Sequence, residues 1–355
     1  MNMHDVMEEA IALQASDIMI SAEAPITYNV FGVLEKTQNW PVMTGETTRE
    51  LVYQILDEKQ RRELETNWEL DLGYELPGRS RFRASVFFQR GTVACVMRVV
   101  PLAIPHYSEI GISDRLLLQL VSIPNGLLLV TGPTGSGKST TIASILDYMN
   151  TDGDMPKHIV TIEDPIEYDL KSQVCHIDQR EIGIDTKGYQ QGLKGALRQM
   201  PHVIFVGEMR DRETMEIALT AAETGNFVIS TLSTQSASKT INRIIDVFPL
   251  HDQAEVRARL ALTLRGVLSQ VLLRRKDRPG RIAAREIMFA TNAVSNLIRE
   301  NKVHQVDNMI ASGYAQGMVL MDDALMELHE QGLVYTTDVI PRLRDPDKAR
   351  GLIQR

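Results

Sequence analysis

The residues best suited to chemistry are Gly132-Pro133-Thr134-Gly135-Ser136-Gly137-Lys138-Ser139, which fit G-x-x-x-x-G-K-[S/T] at every fixed position. Each part of that spacing has a physical use. Glycines let successive backbone N–H groups close around a β-phosphate, and the N-terminus of a following helix adds partial positive charge. Lys138 then bridges β- and γ-phosphates, and the Ser139 hydroxyl completes a Mg²⁺ shell. Thr140 closes the expected nucleotide-binding run. No N/T-K-x-D guanine-reading stretch occurs, so ATP is the expected nucleotide.

A phosphate loop binds; hydrolysis also needs a carboxylate to orient water and another to help hold the metal. Two candidates stand at the ends of apolar runs. Glu163-Asp164 follows His158 to Ile162, and Glu208 follows Val203 to Val206 through Gly207. Two acids, each closing a buried strand beside a phosphate loop, point to catalysis rather than to solvated charge.

The elements that must position these groups are legible as short runs. Gly126 to Val130, His158 to Ile162, Val203 to Val206 and Phe227 to Leu232 are apolar without polar alternation, as strands buried on both faces are. Helical patterns lie between them, at Ile142, Ile145, Leu146 and Met149 and again at Met215, Ala218, Leu219 and Ala222. The alternation predicts a doubly wound α/β domain over 112–290. Before it, residues 1–100 read as a small α+β domain: a helix through Val6, Ala10, Ile11 and Leu13, strands at 17–20 and 28–31, a helix over Thr48 to Leu64, and strands at 81–86 and 92–100 joined across Gln89-Arg90-Gly91. Pro101 and Pro105 mark a linker over 101–111. From 291 to 355 the pattern is mostly helical.

Composition bounds what remains. The chain has 355 residues, enough for two domains, and 38 basic against 46 acidic side chains leave a net charge of −8. That balance disfavours a protein that works by neutralising nucleic-acid phosphates. Two cysteines, Cys95 and Cys175, exclude both a C-x-x-C zinc site and a disulfide scaffold. The first ten residues carry Asp5, Glu8 and Glu9 and do not read as a signal peptide, and no apolar run approaches the ~20 residues of a membrane helix. A cytoplasmic protein, peripheral at a membrane through a partner, is expected.

Several stretches carry a family resemblance. Thr161-Ile162-Glu163-Asp164-Pro165-Ile166-Glu167-Tyr168 resembles the aspartate box of the secretion ATPases of type II secretion and type IV pili, and Leu197 to Asp211 resembles their Walker B signature. The compact length, the missing four-cysteine insert, Ala221-Ala222-Glu223-Thr224-Gly225, Arg243 to Pro249 and Asn296-Leu297-Ile298-Arg299-Glu300 are most similar to the PilT-type retraction ATPases. The resemblance implies a RecA-like P-loop ATPase domain preceded by a PAS-like N-terminal domain, and ATP hydrolysis by a homo-hexamer that powers pilus retraction and twitching motility. It implies Glu208 as general base, and Glu163 ordering Mg²⁺ with Ser139 through water. Arginines of the small domain, with Arg81, Arg83 and Arg98 as candidates, would reach the γ-phosphate. An inner-membrane pilus platform protein and a paralogous pilus ATPase are the implied partners, with no nucleic acid.

Departures from the family pattern set up an alternative. Met200-Pro201-His202 stands where Asp-Pro-Asp is usual, Met19 where histidine is usual, and Val294-Ser295 where Ile-Arg is usual. Both histidines of the histidine box are replaced, by Asn226 and Ser233. Asparagine and serine still hydrogen-bond but carry no charge. The alternative is therefore an accessory paralogue that binds ATP and modulates a main motor while hydrolysing little. A RecA-like DNA translocase is a third reading, disfavoured by charge and by the lack of an aromatic, basic groove.

Overall fold

In the computed structural model, residues 1–100, 103–153 and 155–353 are described, and the chain divides into two compact units, Met1–Ala103 and Ile104–Arg355. Pro101 lies outside the described residues. The first unit contains α1 (Met3–Ala12), β1 (Ala15–Ile20), β2 (Thr27–Val30), β3 (Val33–Lys36), α2 (Gly45–Tyr53), α3 (Glu58–Asn67), β4 (Glu69–Leu76), β5 (Ser80–Gln89) and β6 (Thr92–Val100). Its strands form one antiparallel sheet in the order β3-β2-β1-β6-β5-β4. Period-two alternation sends Phe82, Ala84 and Val86 of β5 into a core with Met3, Met7, Ile18 and Leu51, and leaves Arg83 and Ser85 outside. At the β5–β6 hairpin Arg90 and Gly91 both take left-handed φ values, +50° and +75°, as a two-residue turn of the I′ kind requires.

The single helix expected over Thr48 to Leu64 is two. It breaks after Tyr53, and Asp57 starts α3 with a reciprocal cap: its side chain accepts from Gln60 N at 2.8 Å, and the Gln60 side chain accepts from Asp57 N at 2.9 Å.

The second unit opens with α4 (Asp114–Val121), β7 (Gly126–Thr131), α5 (Lys138–Thr151), β8 (His158–Glu163), β9 (His176–Glu181), α6 (Tyr189–Ala196), β10 (Val203–Val206), α7 (Arg212–Glu223) and β11 (Phe227–Leu232). It continues with α8 (Ala237–Asp246), α9 (Gln253–Thr263), β12 (Leu264–Arg274), β13 (Arg281–Phe289), α10 (Asn292–Arg299), α11 (Val306–Ser312), α12 (Met321–Glu330), α13 (Thr336–Val339) and α14 (Pro346–Ile353). The sheet order is β13-β12-β7-β11-β10-β8-β9, parallel throughout except for β13 on the edge. Alternate residues of each central strand feed different cores. Leu127, Leu129, Ile204 and Val206 pack under the helices from α6 onward, whereas Leu128, Val130, Val203 and Phe205 pack against α4 and α5. Burial on both sides is why these strands show no polar alternation.

Residues 104–111, expected as linker, pack as part of this unit: Ile104, Tyr107 and Ile110 join the α4–α5 core, and the Ser144 hydroxyl donates to Pro105 O at 2.6 Å. Their apolar side chains hold them there. The C-terminal helices are not a separate body either, because Met321, Leu325, Val339 and Leu352 close a small core over Leu273 and Ala284 of β12 and β13. No helix among the described residues is long and apolar enough to cross a membrane.

Candidate active site

The phosphate loop connects the C-terminal end of β7 to α5. Gly132 sits at φ +144°, and a Cβ there would lie 2.2 Å from Gln270 O and 2.6 Å from Ser136 Oγ. Only glycine permits that approach. Gly137, at φ +84°, precedes α5 without any side-chain cap, so the N–H groups of the helix's first turn face the loop. Gln270 of β12 braces the loop from behind, donating to Ser136 O at 2.7 Å and accepting from the Thr141 hydroxyl at 3.0 Å. Ser136 is 2% exposed, and its hydroxyl has no hydrogen-bond partner among the described residues. A buried donor of that kind, inside a cradle that a Cβ would fill, fits a phosphate group.

Lys138 folds back over the loop, donating to Gly132 O at 2.9 Å and Pro133 O at 3.1 Å. Burial lowers its pKa, and the negative charges of Glu208 and Glu167 oppose that shift.

Both sequence-predicted acids stand on the same side of the sheet as the loop, at the C-terminal ends of parallel strands. Glu163 ends β8 and is 7% exposed, accepting from the Thr161 hydroxyl at 2.6 Å and from Gln179 Nε2 at 3.1 Å. Burial pushes its carboxyl up to about 7. Gln179 of β9 is fully engaged, since it also donates to Tyr168 O and accepts from Leu170 N. Ser139, Glu163, Glu167 and Tyr168 line one small cleft, and the Thr140 hydroxyl lies 2.9 Å from the Tyr168 hydroxyl. Glu208 follows β10, where Gly207 N donates to Ile162 O at 2.8 Å and Gly207 O accepts from the Thr231 hydroxyl at 2.6 Å. Its carboxylate pairs with Arg210 at 2.8 Å. A serine hydroxyl beside a cleft carboxylate is a donor set suited to a hard, oxygen-seeking divalent cation, so Mg²⁺ also fits.

Three participants escaped the sequence reading. Glu167 lies in the cleft and acts electrostatically on both Lys138 and Glu163, and its signal was the second acid of E-D-P-I-E. Gln179 and Gln270 are polar residues on strands whose role becomes visible only once β9 and β12 are paired.

Other predicted positions separate. Asn226 precedes β11, at the opposite end of the strand from the loop, where its amide donates to Pro201 O at 2.7 Å. Six strand residues at roughly 3.3 Å each hold it about 20 Å from the phosphate side. Asn226 is thus a strand-entry anchor, and only Ser233, after the other end of β11, lies on the loop side. His202 shares Asn226's edge and accepts from His158 N at 2.9 Å. Arg81, Arg83 and Arg98 belong to the first unit. Arg83 and Arg98 are register partners with Arg81 two residues along, so all three share one sheet face, and Arg98 bonds Asp17 at 3.1 Å.

The raised Glu163 carboxyl has a stability consequence. Between about pH 4.5 and 7 the folded chain keeps a proton that the unfolded chain releases, so this group's contribution to stability falls as pH rises through that window. Glu163→Gln preserves shape and removes the charge. The nucleotide-free variant is expected to match the parent near pH 4.5 and to exceed it at pH 8 by an amount on the order of 2–3 kcal/mol. Thermal unfolding at the two pH values checks this, and an equal offset at both would show that Glu163 is not buried as a charge.

Comparison with known proteins follows the same lines. The family model described as Type II/IV secretion system protein matches residues 1–340. The protein named Type IV pilus retractation ATPase PilT, of Pseudomonas aeruginosa, is 43% identical over 333 residues, covering 94% of this chain and 95% of its own. The Type IV pilus ATPase PilU of the same organism is 36% identical over 339 residues, 96% of this chain and 88% of its own. Among solved structures, that of the pilus retraction motor PilT with bound ADP superposes with a TM-score of 0.87 at 44% identity, covering 98% of each chain.

Proposed function

The chain belongs to the type II/IV secretion system protein family, and from that premise we propose that it is an ATP-hydrolysing hexameric motor that retracts a type IV pilus or a related inner-membrane filament. The observation that carries the reading is the convergence of three groups at the loop side of one sheet: the Lys138 ammonium in its glycine cradle, the buried Glu163 and the half-buried Glu208.

In turnover Lys138 exchanges its two carbonyl partners for β- and γ-phosphate oxygens, and the Gly132–Thr140 backbone and hydroxyls orient the triphosphate. Glu208 orients the attacking water and accepts its proton. Ser139, with Glu163 through water, would hold Mg²⁺, whose charge offsets that of the phosphates when bound. Arg81, Arg83 and Arg98 are the proposed arginines that meet charge developing on the γ-phosphate. The motor is proposed to sit at the cytoplasmic face of the inner membrane, held by a pilus platform protein and working beside a paralogous ATPase.

A second reading, an ATP-binding accessory subunit, draws on the uncharged Ser233 at the loop side of β11. One experiment separates the two. The purified chain, followed by phosphate release and by light scattering, is expected to hydrolyse ATP unaided as an oligomer of about six. Arg83→Ala or Arg98→Ala should lower kcat several-fold more than ATP affinity. Turnover that arises only when a paralogue is added would favour the accessory reading, and full activity in a strict monomer would end the ring.

A further inference from the structure

Away from the phosphate loop, at the N-terminal ends of the strands in the same sheet, three chemistry-bearing side chains meet. His158 and His176 open β8 and β9 and face each other directly in the parallel register. Asp178 lies two residues beyond His176, so the strand period returns it to the same face. The three do converge. Asp178 Oδ2 lies 3.0 Å from His158 Nε2, its other oxygen lies 3.6 Å from His176 Nε2, and all three ligand atoms fall within 4.8 Å of one another.

We propose that His158, His176 and Asp178 form a binding site for a divalent transition metal of the zinc class, which clamps edge strand β9 to β8. Donors around a tetrahedral zinc, at bonds of about 2.0–2.1 Å, stand about 3.3–3.5 Å apart, and the two carboxylate–imidazole separations bracket that spacing. The imidazole–imidazole separation, within 4.8 Å, adjusts through His176, the exposed one of the two histidines, while half-buried His158 holds still. Two imidazoles and one carboxylate select zinc, nickel or copper over magnesium. Solvent supplies the remaining coordination positions.

The clamp would act on a strand that needs one. β9 is polar and pairs on one side only, with β8. Its Gln179, next to Asp178, is the residue whose amide holds Glu163. A metal bridging the strand starts would therefore steady the support of the cleft carboxylate from the other end of the same two strands.

The test uses the full chain, stripped with a chelator, free of nucleotide and titrated with Zn²⁺ by calorimetry. One Zn²⁺ per chain is expected, bound at least tenfold more weakly by His176→Ala and by Asp178→Asn, and unaffected by excess Mg²⁺. Lys138→Ala should bind zinc as the parent does, which separates this site from the phosphate loop. Hydrogen exchange should slow in β9 on zinc addition to the parent and not to either variant. Absence of saturable binding by the parent would overturn the proposal. So would parent-like affinity in both variants, since the zinc would then sit on other side chains. Two single-residue variants at exposed edge positions guard against a fold defect in either one.

Discussion

Lys138→Ala is expected to abolish ATP turnover and to weaken nucleotide binding by about 10–100-fold. The ammonium is the one side-chain cation that the loop itself supplies, and a hydrogen bond to a charged group contributes about 1.5–3 kcal/mol. The loss in rate is larger than the loss in affinity because the charge on the transferring phosphoryl oxygens grows toward the transition state. Removing one preorganised donor from such a site costs about 10²–10³ in rate. In the resting structure the half-buried Lys138 donates to Gly132 O and Pro133 O, and the cost of burying its charge offsets part of what those two bonds contribute. Alanine should therefore leave the fold and the unfolding temperature nearly unchanged. Binding of a fluorescent ATP analogue and phosphate release measure the two effects separately. Hydrolysis near the parent's rate would overturn the assignment of the loop.

Glu208→Gln divides binding from chemistry. The amide retains the size and an acceptor for Arg210, which bonds the carboxylate at 2.8 Å, but it cannot take a proton from water. A general base contributes about 10²–10⁴ in rate, so turnover should fall by that factor while ATP affinity stays within about threefold of the parent. Because Glu208 also faces the Lys138 ammonium electrostatically, neutralising it removes one negative charge near the phosphates, and affinity should rise rather than fall. A parallel loss of binding and turnover would make Glu208 a structural residue.

Much of the site was legible because its chemistry is local in sequence. Gly132 to Ser139 lie within one turn and the start of one helix, and Glu163 and Glu208 are each the polar end of an apolar run. What escaped depends on pairing across the chain. β9 reads as a polar stretch because it is an edge strand, and β3 is exposed along its whole length. β12 follows α9 with no intervening residue, so neither glycine nor proline marks the change of period. β4 carried a readable signal in Leu70, Leu72, Tyr74 and Leu76. Asn226 and Ser233 lie close in sequence and look like one unit, yet a strand spans the distance between them. Sequence nearness misleads along extended backbone, where each residue advances about 3.3 Å.

Gln270 ties the phosphate loop to a strand whose antiparallel ladder with β13 runs through nine register pairs, Gly266 to Arg274. On β13, Glu286 accepts from Ala237 N at 2.7 Å and from the Arg344 guanidinium at 2.9 Å, joining the start of α8 to the C-terminal segment. Mechanically this is a stiff rod with a soft coupling at one end. Load drawn along β12 is shared in shear by its ladders with β13 and with β7, whereas the loop itself is held to β12 mainly by side chains, Gln270 on Ser136 O and Ser269 on Thr131 where the loop begins. Side-chain bonds of this kind part at smaller strain than a backbone ladder does, so under tension the loop is expected to shift against β12 while the sheet stays whole.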